Sequence, residues 1–107
     1  MSAVPVFDPL IHAPGRLQIC AIVSSVDAEF AMLRDAIKVS DSVLSKHLRQ
    51  LEEAGYVKLT KAAENGRQRT WITLTGAGRK AFTAHVAELQ RLAGLTRPEP
   101  LGQGFSG

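Results

Sequence analysis

The side chains best suited to chemistry lie in one segment, residues 40–55, which mixes small hydroxyls, bases and leucines before it stops at a glycine. The leucines recur at i, i+4 and i+7, which predicts one apolar face of a helix anchored in a core. The opposite face carries Ser42, Ser45, Lys46 and Arg49. Short hydroxyls allow a helix to enter the major groove of duplex DNA, and the two bases can reach phosphates or guanine edges.

Two residues near this face have more than one interpretation. Phosphates repel a carboxylate such as that of Asp41, which would instead complement the helix N-terminus or accept a hydrogen bond from a cytosine amine. His47 flanks the face and either contacts DNA or only covers the adjacent turn. The sequence leaves both questions open.

The residues before this segment predict two further helices that position it. Pro14 suits the first turn of a helix of about three turns. A shorter second helix follows, with Asp27 as its candidate N-cap and an apolar face formed by Phe30, Leu33, Ala36 and Ile37. After a tight turn Ser40 caps the third helix, and Gly55 ends it in a left-handed conformation.

Two alternating segments after Gly55, residues 56–60 and 70–74, predict a β-hairpin. Asn65-Gly66 in the connection tolerates the positive φ of a hairpin turn, and Arg67 and Arg69 follow it. Residues 46–80 contain eight Lys or Arg against three Glu, whereas the whole chain has a net charge of only +3. The positive charge is therefore concentrated in one region, residues 46–80, and the hairpin tip should be basic.

Thr75 can cap a last helix that is too long for so small a core to cover. Its apolar stripe consists of Phe82, Val86, Leu89 and Ala93. We expect this stripe to dimerise the protein by pairing with the first helix, where Ile19 or Ile22 is left over from core packing.

The predicted fold is mainly α with a small β-hairpin (α+β), in the order of a winged helix-turn-helix. The winged-helix domain, predicted to bind DNA and to dimerise, covers residues 9–93. Residues 1–8 are predicted to be a flexible N-terminal arm, and residues 94–107, rich in Pro and Gly, a disordered C-terminal tail.

Three segments resemble one family: "LSKHLRQLEEAGYV", the hairpin "ENGRQRTWITLT", and "LTGAGRKAF", which looks like an LTxxGRxA signature opening the helix after the wing. They resemble the winged-helix transcriptional regulators of the MarR and ArsR type, and in particular the short one-domain members. The resemblance implies a homodimer that places its third helix and wing on operator DNA, dimerises through its terminal helices and has no separate ligand domain.

The predicted function is therefore that of a sequence-specific regulator of transcription that binds double-stranded DNA, a repressor acting as a homodimer on a palindromic operator. Six residues are predicted to contact DNA: Ser42, Ser45, Lys46, Arg49, Arg67 and Arg69. The alternative is a winged-helix protein–protein interaction module whose basic face docks on an acidic partner. The sequence does not identify an effector, an operator or the sign of regulation.

Other classes of function lack the residues they need. Cys20 is the one cysteine, so no internal disulfide or zinc-type Cys pair is expected, and we interpret it as a small core hydrophobe rather than a redox sensor. His12, His47 and His85 lack the spacing of metal ligands, and no phosphate loop or carboxylate pair is visible. No enzymatic activity, cofactor or metal is predicted. Without a signal peptide or transmembrane segment, a cytoplasmic protein is expected.

Overall fold

The computed structural model describes residues 7–96, which form five helices and a three-stranded antiparallel sheet of strand order β1-β3-β2. The elements in chain order are α1 (Pro9–His12), α2 (Pro14–Val23), β1 (Ala28–Glu29), α3 (Phe30–Ile37), α4 (Asp41–Glu53), β2 (Val57–Glu64), β3 (Arg67–Leu74) and α5 (Gly76–Thr96). The mainly α fold with a small β element is confirmed. Residues 1–6 of the predicted arm and 97–107 of the predicted tail lie outside the described residues, and α5 continues past the boundary predicted at residue 93.

One hydrophobic cluster of the described residues joins the helices to the sheet. The leucines of the predicted stripe on α4 are at most 1% exposed, which confirms the core face of this helix. Cys20 is fully buried, as predicted for a core residue. Burial, with a smaller contribution from the Asp8 carboxylate, raises the pKa of its thiol to about 11. The thiol is therefore protonated at neutral pH and packs as a small hydrophobe.

Helix α1 is a single turn that the sequence analysis did not predict. The Oδ1 atom of Asp8 accepts hydrogen bonds from the backbone N–H groups of Leu10 (3.0 Å) and Ile11 (3.3 Å), and Pro9 occupies the first helical position. Asp followed by Pro is a helix-start signal, but four residues are too few to show an apolar period. Asp8, assigned to the flexible arm from the sequence, is hydrogen-bonded through both its side chain and its backbone.

Strand β1 takes the place of the expected start of the second helix. The assignment of Asp27 as the N-cap is wrong, because Ala28 and Glu29 are extended and pair with Ile72 and Trp71 of β3. Helix α3 begins only at Phe30. A strand of two residues offers no alternation for sequence analysis to detect.

Strands β2 and β3 form a wing that is longer than predicted. Eight residue pairs run from Val57–Leu74 to Glu64–Arg67, so that Asn65 and Gly66 alone form the turn. Their φ values of 53° and 74° are those of a two-residue type I′ hairpin turn. Each strand of eight residues spans about 26 Å. Arg67 and Arg69 therefore lie on β3 itself and not in a loop.

A compact junction connects the end of α4 to the wing and to α5. Gly55 (φ 80°) and Tyr56 close α4 by donating to the carbonyls of Glu52 and Leu51, the Schellman pattern. Thr75 caps α5 as predicted, because its Oγ1 accepts from the N–H of Gly78 (2.9 Å) and donates to the Gly55 carbonyl (2.6 Å). A Cβ at Gly78 would lie only 2.1 Å from the Tyr56 carbonyl oxygen. The second glycine of "TGAG" is therefore required for close packing.

A chain of polar side chains connects α1 to α5. The Tyr56 hydroxyl donates to Asp8 Oδ2 (2.7 Å), the N–H of Asp8 donates to His85 Nδ1 (3.0 Å), and His85 Nε2 lies 3.2 Å from His12 Nδ1. The hydrogen bond from Asp8 requires an unprotonated Nδ1, so neutral His85 carries its proton on Nε2 and donates to His12. His85 is fully buried, and this burial is the main reason why its pKa is lowered. Two histidines far apart in sequence thus meet in one hydrogen-bonded pair.

The close contact at Gly78 predicts a strong asymmetry between two neighbouring glycines. Gly78→Ala should lower the free energy of unfolding by about 1–3 kcal/mol, because the methyl group meets a backbone carbonyl that cannot rotate away. Gly76→Ala is the matched control, since a Cβ there meets no atom within 4 Å. It should be neutral or stabilise by up to about 1 kcal/mol through helix propensity. Urea unfolding of both variants measures the difference, and equal stabilities would contradict the packing argument.

The buried His85 predicts a loss of stability in mild acid. Its pKa is lowered in the folded protein, so the unfolded chain binds more protons, and the free energy of unfolding should fall as the pH decreases from about 6.5 through the folded-state pKa. The neighbouring charges are those of His12, which adds to the lowering, and of Asp8 and Glu88, which oppose it.

His85→Gln provides the test, because an amide can accept from Asp8 and donate to His12 without titrating. Urea unfolding between pH 7.5 and 5 should show a shallower pH dependence for this variant than for the wild type. The pH dependence that remains in the variant is expected from His47, whose pKa is also lowered. Identical pH profiles for the two proteins would rule out a contribution from His85.

Candidate nucleic-acid interface

Helix α4 presents the predicted polar face to solvent. Ser40 caps the helix by accepting from the N–H of Val43 at 3.2 Å, as expected. The core leucines lie on one side, and the exposed residues on the other side include Ser42, Ser45, Lys46 and Arg49. The structure therefore brings all four predicted contact residues of this helix together on one accessible face.

The connection between α3 and α4 has the predicted tight form. It consists of residues 38–40, and the N–H groups of Lys38 (2.9 Å) and Val39 (3.3 Å) both donate to the carbonyl of Arg34. Lys38 has a φ of 60°, the left-handed region that a residue with a Cβ adopts at some cost in free energy. This strained residue allows α4 to start only three residues after α3 ends.

The Asp41 carboxylate in the first turn of α4 is paired with a residue that the sequence analysis missed. Arg34 on α3 donates from Nη1 to Asp41 Oδ1 and from Nε to Asp35 Oδ1, each at 3.0 Å. These hydrogen bonds raise the pKa of the Arg34 guanidinium. The carboxylate at the start of α4 is thus paired within the protein, with a guanidinium whose single positive charge it shares with Asp35.

His47 faces α2 and not the exposed side of α4. Its Nδ1 lies 3.3 Å from Nη1 of Arg16, which also donates to Gln50 Oε1. A Cβ at Gly15 would lie 2.5 Å from His47 Nε2, so the ring packs directly on the start of α2. Burial is the main cause of its lowered pKa, followed by the charges of Arg16 and Lys46. Of the two interpretations of this histidine, the structure shows the packing role.

The two arginines of the wing have different surroundings. Arg67 is exposed at the start of β3 and forms no ion pair with any residue between 7 and 96. Arg69 is only 36% exposed and lies between Glu29 of β1 (3.7 Å) and Glu64 of β2 (3.4 Å). Its Nε is buried without a hydrogen-bond partner in the described structure. Arg67 therefore lies near the tip without an ion pair among the described residues, although it is opposite Glu64 in the strand register, whereas Arg69 is paired with two carboxylates.

Helix α5 has two distinct faces. The face packed inside the subunit includes Gly78, His85 and Glu88, all of them buried. The predicted dimerisation stripe, Phe82, Val86, Leu89 and Ala93, lies about a quarter of a turn further round at 3.6 residues per turn. Val86 and Leu89 are half-buried, Ala93 is exposed, and Phe82 packs partly against the core.

Of the two residues of α2 predicted to be left over from core packing, Ile19 and Ile22, the prediction for Ile19 is wrong. Ile19 is fully buried in the core of the subunit, because α2 is covered on that side by other elements of the same chain. Ile22 is half-buried and remains accessible on α2.

No helix between residues 7 and 96 combines the length and apolar character that crossing a membrane requires.

Known proteins resemble the chain over most of its length. A model of the winged helix DNA-binding domain family matches residues 16–93. An uncharacterised protein of Methanocaldococcus jannaschii is 34% identical over 85 residues, which cover 78% of this chain and 92% of that protein.

Among solved structures, a transcriptional regulator homologue from Pyrococcus horikoshii OT3 superimposes with a TM-score of 0.77 at 25% identity, covering 83% of this chain and 90% of that one. A possible transcriptional regulator for arsenical resistance is similar with a TM-score of 0.61 at 26% identity, covering 84% of this chain and 95% of that one. The resemblance to regulators of the MarR and ArsR type is confirmed. The match from α2 to α5, on a structure that has both an exposed polar helix and a wing, shows that this chain belongs to the winged helix DNA-binding domain family and is a DNA-binding regulator of transcription.

Proposed function

We propose that the protein is a homodimeric repressor that binds a palindromic operator in double-stranded DNA. The observation that carries this proposal is the exposed face of α4, where hydroxyls and bases stand opposite a buried row of leucines. Ser42 and Ser45 are short enough to admit the helix to the major groove, while Lys46 and Arg49 reach guanine edges and phosphates. Repression then follows from occupying the site that polymerase needs.

In this proposal the wing contacts the DNA backbone or the adjacent minor groove. Arg67 is exposed and unpaired among the described residues, which favours a phosphate contact. Arg69 contributes a second contact only by exchanging its carboxylate partners, Glu29 and Glu64, for a phosphate. The wing therefore adds affinity, with Arg67 the larger contributor, and α4 adds sequence preference.

The stripe on α5 supports the proposal of a homodimer. Helix α5 has 21 residues and is therefore about 31 Å long, more than its contacts with α1 and α2 require. Val86 and Leu89 lie outside the hydrophobic core of their own subunit. A two-fold pairing with the α5 stripe and Ile22 of a second copy would bury these side chains in an isologous interface. Such pairing sets two α4 helices about 34 Å apart, one turn of DNA.

Substitutions in α4 and in the wing should affect binding differently. Arg67→Ala should weaken binding to every duplex and lower the slope of log Kd against log salt by about one counterion, because one phosphate contact is lost. Arg69→Ala should have a smaller effect, since this guanidinium is already paired. Ser45→Ala or Arg49→Ala should instead alter which sequence is preferred. Fluorescence anisotropy at several salt concentrations, with random and selected duplexes, measures all four.

Two outcomes of this experiment would overturn parts of the proposal. Unchanged affinity of an Arg67→Ala, Arg69→Ala double variant for random DNA would refute the wing contact. A wild-type protein that shows no salt-dependent binding to any duplex would favour the alternative, an interaction module that docks on an acidic protein.

The proposed dimer predicts a specific effect of charge on α5. Leu89→Glu should convert the protein to a monomer at micromolar concentration with little change in helix content. A dimer of this variant would have to bury the new carboxylate in its interface and remove its water. Thr83→Glu, an exposed position away from the stripe, is the matched control and should stay dimeric. Sedimentation equilibrium decides the question. Wild-type protein with an apparent mass of one chain, 11.5 kDa, would refute the dimer and the palindromic operator inferred from it.

A further inference from the structure

One carboxylate stands at the start of a helix that is otherwise suited to negatively charged DNA. Asp41 occupies the first position of α4, and its side chain is 69% exposed. It does not cap the helix, because Ser40 provides that hydrogen bond to the N–H of Val43. An unpaired acid at this place would be repelled by phosphates on both sides of the groove.

Arg34 changes the electrostatics and the geometry of this carboxylate. Its Nη1 holds Asp41 Oδ1 at 3.0 Å, and its Nε holds Asp35 Oδ1 at 3.0 Å, so the guanidinium is fixed from two sides. Asp41 Oδ2 has no hydrogen-bond partner among the described residues. The pair therefore presents one oriented acceptor next to Ser42, on the exposed side of the helix end that enters a groove first.

We propose that Asp41 is a specificity-determining residue that accepts a hydrogen bond from the N4 amine of cytosine, and that Arg34 is its positioning residue. This inference rests on the proposed binding of α4 in the major groove. A carboxylate can only accept, and the base edges there offer two donors, the amines of cytosine and adenine. In the major groove the adenine amine has an acceptor on each side, its own N7 and the O4 of the paired thymine, whereas the cytosine amine has an acceptor on one side only, the O6 of the paired guanine. A second carboxylate oxygen is therefore repelled less beside cytosine.

The position of Asp35, the other acid on the Arg34 guanidinium, distinguishes this role from a purely structural ion pair. Asp35 shares the same guanidinium but lies on α3, outside the face that meets DNA, and its side chain is 73% exposed. If the pairing only strengthened the connection between α3 and α4, removal of either carboxylate would affect stability and leave base preference unchanged. If Asp41 reads a base, only its removal changes the preference directly.

The experiment is a selection from randomised duplexes with wild-type protein, Asp41→Asn, Asp41→Ser, Arg34→Lys and the control Asp35→Asn. The wild type should select cytosine at one position of each half-site. Asp41→Asn should shift that position towards adenine, to which an amide can bind in bidentate fashion, and Asp41→Ser should lose the preference for cytosine about tenfold or more. Arg34→Lys should weaken the same preference. Asp35→Asn should leave it intact, because the Asn amide oxygen can still accept the hydrogen bond from Arg34 Nε and keep the guanidinium in place.

A second measurement tests the hydrogen bond by removing its donor from the base. A duplex in which that cytosine is replaced by pyrimidin-2-one, which lacks the N4 amine, should bind wild-type protein more weakly by about the same factor and bind Asp41→Ser no more weakly than the parent duplex. Thermal unfolding confirms that each variant is folded.

Three results distinguish a failure of the proposed function from a failure of the roles assigned to Asp41 and Arg34. Wild-type protein that binds no duplex refutes the proposed function itself. Wild-type protein that selects a defined sequence, while both Asp41 variants select the same bases at every position, refutes the role of Asp41 and leaves the proposed function intact. An unchanged preference in Arg34→Lys, with a lost preference in Asp41→Ser, refutes the positioning role of Arg34.

Discussion

The burial of Leu44, Leu48 and Leu51 is the interaction on which the rest of the structure depends. Each fully buried leucine contributes roughly 1.5–3 kcal/mol, and together they fix the rotation of α4 about its own axis. A rotation by one residue, about 100°, would expose Leu44 and bury Ser45. The same three side chains therefore determine both what the core contains and which side chains α4 can offer to a ligand.

Rotation alone does not place a helix, and polar contacts at three points fix its position. The start of α4 is held by the Ser40 cap and by Arg34, its middle by Arg16 of α2, and its end by the hydrogen bonds that follow Gly55. The close approach of Gly78 then seats α5 against the same end. These contacts hold α4 in place in addition to the core, and the proposed function depends on the position of the exposed face that they fix.

The sequence predicted the elements whose signal repeats over several turns or residues, and missed those whose signal is local. The leucine period of α4, the Asn65-Gly66 turn and the Thr75 cap were all identified correctly. Helix α1 and strand β1 were missed because four and two residues contain no full period. Sequence analysis could not identify the ion-pair partners of the wing arginines, because a count of charges treats Arg67 and Arg69 alike. Only the tertiary structure shows that Glu29, forty residues earlier in the chain, lies next to one of them.

Helix α5 shows why an apolar stripe is an incomplete guide to the core of a single subunit. Its inward face includes the buried polar residues His85 and Glu88. Their hydrogen-bond partners make this burial tolerable: His85 bonds to Asp8 and His12, and Glu88 pairs with Arg91 on the same helix. Its most regular apolar stripe lies beside that face and is only half-buried. Hydrogen-bonded polar groups can pack inside a subunit at modest cost, whereas the apolar area that a half-buried stripe still exposes gains nothing until another surface covers it. The polar inward face of α5 therefore leaves Val86 and Leu89 outside the hydrophobic core of their own subunit, and these are the side chains that the proposed dimer would bury.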